Sequence, residues 1–271
     1  MTISSSVFAA FLIAAAAELL FPVVLLLMLC LKKIISPKPM FIGAAAFFVS
    51  QLCLRLPLLQ AVSTQGWFRA FALNAVPYII MLSVTAGLFE ESARYLCAGC
   101  FLKKERCFRD ALAFGLGHGF CEVVLLTGMA QINNIVYTVM INSGSFAAAT
   151  SKLPAAASQQ ILSAMASATP PLIYLGILER VFAVTFHIFA SVLIFKGVNE
   201  HKIRFYFLAI AAHALFNLGS VLLTQYVNAW AGEGFAFAAA LAALFLIFRM
   251  KPSFRKETTA AEHYEQVINQ Q

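Results

Sequence analysis

VFAAFLIAAAAELLFPVVLLLMLCL, residues 7–31, carries one charged side chain, Glu18, and runs straight into the pair Lys32-Lys33. A helix rises 1.5 Å per residue, so roughly 20 apolar residues cross the about 30 Å of hydrocarbon in a bilayer, and this stretch exceeds that length. Its apolar positions are continuous rather than alternating, which is the pattern of a membrane helix and not of a barrel strand. Residues 1–6 hold no basic n-region, and the run is too long for a signal peptide. It therefore reads as a retained first span.

Further apolar runs repeat the pattern along the chain. Spans are predicted at 7–31, 40–60, 70–102, 110–140, 172–195, 205–227 and 230–249, giving an all-α, polytopic transmembrane bundle of about seven helices. The third and fourth runs are longer than a bilayer requires, so tilting, kinking or projection beyond the membrane is expected of them. Of the 271 residues, 61% are hydrophobic and 11% charged, too little polarity to cover a water-facing surface; lipid is the solvent. Residues 1–250 form one membrane domain and 251–271 a polar tail, while the segment 142–171, rich in Ala, Ser, Thr and Pro, is a loop or short surface helix.

The net charge of +7 raises nucleic acid as a partner, but no basic amphipathic face or nucleic-acid module accompanies it. Topology explains the charge better. Fourteen Lys and Arg fall in the segments after spans one, three, five and seven, against Arg69 and Lys152 in the opposite loops; Arg55, Arg94 and Arg180 stay inside spans. By the positive-inside rule the N-terminus is outside and the C-terminus, with the 251–271 tail, in the cytoplasm. The six cysteines lie mostly in or near spans. Cys97 and Cys100 form a CxxC with no second pair, so buried thiols are expected rather than disulfides or a zinc site.

Ionisable groups inside a bilayer are costly, and here they fall at matched depths. His118 is nine positions beyond Arg109, His187 nine before Lys196, and His213 nine beyond Arg204, each about 13 Å from the basic side. Glu90, Glu91, Glu122 and Asn217 lie twelve or thirteen positions from Lys103, Arg109 and Arg204, at about 18–20 Å. Separate helices thus bring acids, imidazoles and an amide toward one layer. In EESAR, Glu90 precedes Arg94 by four and shares its face for an ion pair, while Glu91 is turned about 100° toward another partner. His118 with Glu122, and His213 with Asn217, are also one turn apart. Such a layer suits hydrolysis: a glutamate base and imidazoles hold water, a histidine protonates the leaving amine, and Asn217 donates to an oxyanion.

EESAR (90–94), FGLGHGFCE (114–122), ERVFAVTFHIFAS (179–191) and HALFN (213–217), in that order, resemble the motifs of the YhfC-type membrane peptidases and, at greater distance, of the PrsW and CAAX prenyl proteases. The resemblance covers residues 90–217 and rests on the ordered set rather than on any single motif. It implies an intramembrane endopeptidase of the glutamic type in a bacterial cytoplasmic membrane, acting on a membrane-embedded or membrane-associated peptide. Glu90 and Glu91 match the acid pair, His118 the histidine of FxxxH, and His213 with Asn217 the HxxxN; His187 matches the YhfC and PrsW side. The spacing EExxR departs from the usual EExxxR of the CAAX proteases.

Glu90, Glu91, Arg94, His118, Glu122, His187, His213 and Asn217 are therefore the candidate catalytic set, with Glu122 in support. No cofactor is the favoured reading. The alternative is zinc held by His118, His187 and His213, making the protein a metallopeptidase. The single aspartate, Asp110, excludes an aspartyl pair, and neither HExxH nor GxSG is present. A proton-coupled transporter predicts ionisable groups strung along the membrane normal and inverted repeats, neither of which is visible; a non-catalytic scaffold would not need the whole set. Glu18 and Arg55, at similar depth on consecutive spans, are expected to form a structural ion pair. Gly115, Gly117 and Gly119 are expected to permit close helix approach rather than to cradle phosphate.

Overall fold

The computed structural model describes residues 1–254, and every regular element among them is helical. In chain order these are α1 (Ser5–Leu31), α2 (Pro37–Ser63), α3 (Gly66–Ala72), α4 (Ala75–Phe101), α5 (Phe108–Asn142), α6 (Phe146–Ala149), α7 (Ala155–Ser167), α8 (Pro170–Asn199), α9 (Arg204–Tyr226) and α10 (Ala229–Ser253). Six of them, α1, α2, α5, α8, α9 and α10, are long and apolar enough to cross a membrane. Together α3 and α4 make a seventh, broken by a bend of 107°. The outward faces carry Phe21, Leu27, Phe207, Phe245 and Phe248, exposed side chains that suit lipid as solvent.

The break is a kink of the sort expected of the long run over 70–102, placed near its start. Asn74 is extended, at φ −88° and ψ 91°, and so ends α3 and opens α4. Pro77 follows in the first turn of α4, where its missing N–H leaves no helical bond unmade. The segment expected to be a loop or surface helix forms α6 and α7, and it is not wholly exposed: Phe146 and Met165 are buried with Val7, Phe11 and Ile141. Asn142 closes this end by accepting from the Ile3 N–H at 2.7 Å and donating to the Ile3 carbonyl at 3.0 Å. Of the expected polar tail, the first four residues are described. Lys251–Ser253 add one 3-10 turn to α10, and Phe254 is buried edge-on against Phe108, 5.6 Å between rings; residues 255–271 lie outside the described residues.

At the centre stands α8, packed against α1, α4, α5, α9 and α10. The first half of α5 is wedged between α8 and α2, and glycines make the wedge possible. A methyl on Gly117 would lie 2.0 Å from the Met40 carbonyl oxygen, and one on Gly43 2.1 Å from that of Phe114, so α2 and α5 touch backbone to backbone. Gly115 and Gly119, one turn apart on the other face of α5, bring it onto Ile188, Val184 and His187 of α8. The expected role of these glycines is the observed one. At the basic end, Lys38 donates to Glu105 at 2.8 Å, tying the start of α2 to the loop after α4 and holding the Glu105 carboxyl below its ordinary range.

Candidate active site

Four helices bring the acids and imidazoles together: α4 supplies Glu90, Glu91 and Arg94, α5 supplies His118 and Glu122, α8 supplies His187, and α9 supplies His213. Glu91, Arg94 and His118 have no exposed surface, and Glu90, His187 and His213 have almost none. Such burial demands partners, and the partners define two systems that meet at Arg94.

The first is Glu90, His118 and His187. The His118 Nε2 lies 2.9 Å from Glu90 Oε2, and His187 Nδ1 lies 3.8 Å from the same oxygen. One ligand atom from each of the three lies within 4.8 Å of the other two. Behind His187, Nε2 meets Glu122 Oε2 at 2.8 Å. Arg180 approaches Glu122 at 3.5 Å and pairs with Glu179. Gln51 of α2 donates to Glu90 Oε1 at 2.7 Å.

The second system runs Arg94–Glu91–His213. Arg94 Nε stands 3.1 Å from Glu91 Oε2, and Glu91 Oε1 accepts from His213 Nδ1 at 2.8 Å. That bond turns the other ring nitrogen of His213 toward Glu90, 3.8 Å from Oε1. Arg94 also sits 3.7 Å from Glu90, and its Nη1 donates to Ser191 Oγ and the His187 carbonyl at 2.7 and 2.9 Å. Glu91 therefore does face a separate partner, as its rotation on the helix predicts, yet Arg94 reaches it more closely than it reaches Glu90.

Hydrogen-bond chemistry assigns the His187 tautomer. A guanidinium only donates, so Arg94 Nη2, 2.8 Å from His187 Nδ1, makes that nitrogen the acceptor and leaves the proton on Nε2, aimed at Glu122.

A cavity of about 260 Å³ opens onto this group, lined by Glu90, Glu122, His187, His213 and Asn217 together with Arg55, Arg180, Ser83 and Ser220. Asn217 thus reaches the site as a wall of the cavity, one turn beyond His213. Glu91, Arg94 and His118 are behind the lining and support it.

A divalent metal fits the donor set: a carboxylate and two imidazoles at ligand spacing, with a carboxylate holding the outer nitrogen of one imidazole. His118 Nδ1, buried with no hydrogen-bond partner, leaves that ring free to present Nε2. One contact runs the other way, because the Arg94 N–H occupies the lone pair of His187 Nδ1 and must release it to any metal. Two imidazoles of the expected set, His118 and His187, are in this group; the third, His213, has its Nε2 3.8 Å from Glu90. Its Nδ1 is bonded to Glu91, and Glu90 supplies the carboxylate of the group.

One further expectation changes. Glu18 and Arg55 form no pair: Glu18 takes a 3.5 Å contact from Gln131 of α5, and Arg55 bonds Gln51, Thr85 and Leu82. The reason is that α1 packs on α5 and α8, while α2 packs on α4 and α5, so consecutive spans do not face one another there. Gln51 and Ser191 belong to the site without having been singled out by sequence. The only signal for Gln51 was an amide inside an apolar run, four residues before Arg55.

Residues 17–236 match the family described as YhfC intramembrane metalloprotease. A relative from Bacillus subtilis (strain 168), described as uncharacterized membrane protein YhfC, is 31% identical over 241 residues, covering 88% of this chain and 93% of the relative. No solved structure matches the chain.

Proposed function

Since the chain belongs to the YhfC intramembrane metalloprotease family, we propose that it hydrolyses a peptide bond of a membrane-embedded or membrane-associated substrate at the Glu90–His118–His187 centre, in the cytoplasmic membrane of a bacterium. The observation that carries this reading is the meeting of one carboxylate and two imidazoles, from three helices, beside a cavity in an otherwise apolar bundle. Intramembrane groups of this kind are too costly to keep for packing alone.

Glu90, His118 and His187 are the residues to hold a divalent metal, which when bound polarises the scissile carbonyl and activates water. Glu122 fixes the ring of His187 from behind. Arg94 neutralises the adjacent acids, so that two buried carboxylates tolerate one another. Glu91 holds the Nδ1 proton of His213, leaving Nε2 turned toward Glu90 and the cavity, where it takes a proton and returns it to the leaving amine. Asn217, a turn further along α9, donates to the developing oxyanion. Lateral entry from lipid is supported by an apolar cleft of about 700 Å³ between α2 and α4, lined by Val49, Leu54, Leu88 and Phe89, the last adjoining Glu90.

A second reading has one specific support. With Arg94 bonded to His187 Nδ1, the group is complete as a metal-free site in which Glu90 itself activates water between His118 and His213. Metal analysis of the purified protein separates the two, alongside cleavage of membrane peptides in nanodiscs by wild type and Glu90→Gln. Stoichiometric zinc lost in His187→Ala supports the metal version. Full turnover by Glu90→Gln sinks both.

A further inference from the structure

Three arginines lie in the interior of the spans, away from their ends, and two are neutralised: Arg94 by Glu90 and Glu91, Arg180 by Glu122 and Glu179. Arg55 differs. Among the described residues no carboxylate lies within ion-pair distance of it, and its three hydrogen bonds go to neutral acceptors. Nε donates to Thr85 Oγ1 at 3.2 Å, Nη1 to Gln51 Oε1 at 3.0 Å, and Nη2 to the Leu82 carbonyl at 2.7 Å. A guanidinium carries five N–H bonds, so each terminal nitrogen keeps one hydrogen uncommitted. The charge of Glu90 acts on it only from beyond Gln51, and a cation inside a bilayer without an anion in contact is expensive; such residues mark substrate paths.

Its location gives that charge a use. Arg55 lines the same cavity as Glu90, and a single amide links the two: Gln51 accepts from Arg55 through Oε1 and donates to Glu90 through Nε2. An anion taken by the spare hydrogens of Arg55 would therefore sit one side chain away from the proposed reacting centre. The cavity, at about 260 Å³, is below the range that holds a whole drug-sized ligand, so it suits a chain end or a single side chain rather than a continuous helix.

We propose that Arg55 is the receptor for a carboxylate on the substrate, either the C-terminal carboxylate or an Asp or Glu side chain close to the scissile bond. This rests on the peptidase reading for its meaning, but it concerns binding and is tested by binding. Planar, forked recognition of a carboxylate is what distinguishes Arg from Lys at such a position.

The test uses the full chain in nanodiscs and three versions of one short apolar fluorescent peptide: the free C-terminal acid, the carboxamide, and the carboxamide with an internal glutamate. Anisotropy titrations give their affinities for wild type, Arg55→Gln and Arg55→Lys. In wild type at least one carboxylate peptide should bind about tenfold more tightly than the plain carboxamide, as a charge-assisted bond predicts. The free acid and the internal glutamate tell the two sources apart. That preference should fall to about one in Arg55→Gln and be reduced in Arg55→Lys. Equal binding of all three peptides by wild type overturns the proposal without needing any variant, as does an undiminished preference in a folded Arg55→Gln. Failure of the peptidase reading looks different: carboxylate-selective binding persists while no peptide is cut.

Discussion

The two halves of α5 stand beside two buried glutamates, and the halves are built differently. Before Glu122 the helix is wedged backbone to backbone, Gly117 on the Met40 carbonyl of α2 and Gly115 on the Ile188 backbone of α8. Beyond Glu122 it takes a π-helical turn, Val123–Gly128, and leans on α1, where the nearest atom to a methyl on Gly128 would be the tip of the Leu19 side chain. Glu90, beside the first half, is held by Gln51, His118 and Arg94 with His187 and His213 close by. Glu18, beside the second, has a long contact from Gln131, with Thr127 near it and the charge of Arg180 further off, and its Oε2 has no hydrogen-bond partner. Burial alone therefore does not identify a working carboxylate. What separates Glu90, the carboxylate of the proposed centre, is a surround that supplies donors from three helices, two further imidazoles and an open cavity on one side.

The sharpest way to break this contrast is at Glu90. Replacing it with Gln keeps the shape and the contact with Gln51 but removes the charge. Cleavage of a reconstituted membrane peptide should fall about a thousandfold, within the range for loss of a positioned acid or base. A variant retaining a tenth of wild-type turnover would make Glu90 no different in kind from Glu18.

Glu122 comes next, because in the proposed reading its part is to hold the ring of His187. In Glu122→Gln the ring loses its charged anchor, and affinity for zinc, followed by competition with a chelator, should fall about 10–100-fold. A metal affinity equal to wild type would show that the Glu122 contact orients nothing.

How far the sequence foretold this contrast follows from helix geometry. Depth along a helix is linear in residue number, so counting from Arg109, Lys196 and Arg204 was enough to put His118, His187 and His213 in one layer, and they do meet. Sideways placement is not linear in anything. Glu18 and Arg55 share a depth yet face different neighbours, because α1 packs across the bundle and not on α2. Faces are harder still: α2, α4 and α5 each contain a π-helical stretch, at Phe48–Arg55, Cys97–Phe101 and Val123–Gly128, and each shifts the register that a 3.6-residue period would assign. Gln51 falls inside the first of these, so its aim at Glu90 was invisible to periodicity. The place of the bend, at Leu73 and Asn74, was hidden for a simpler reason, since hydropathy scores a broken span as it scores a straight one.

Packing offers a test that does not touch the chemistry. Gly117→Ala drives a methyl into a backbone carbonyl 2.0 Å away, which can yield only if α2 and α5 separate. Stability in detergent should drop by about 2–3 kcal/mol. Gly128→Ala meets a flexible leucine tip and should cost less than about 1 kcal/mol. Equal losses at the two glycines would mean that the rigid and yielding halves of α5 are not distinct.

The smallest effect is expected at Glu18. Gln in its place keeps an acceptor for Gln131 and removes an acid whose second oxygen already lacks a hydrogen-bond partner, so stability should stay within about 1 kcal/mol and turnover within about threefold. Gln131, the hydrogen-bond partner of Glu18, leads on to Asn134, along α5 away from Glu122, and Thr127 on the near side is bonded back to the Val123 carbonyl. A tenfold loss of turnover in a stable Glu18→Gln would reverse that assignment. It would mean that the α1–α5 contact is coupled to the centre through Arg180, whose charge acts on both Glu18 and Glu122, and that α1 is part of the catalytic bundle rather than a brace beside it.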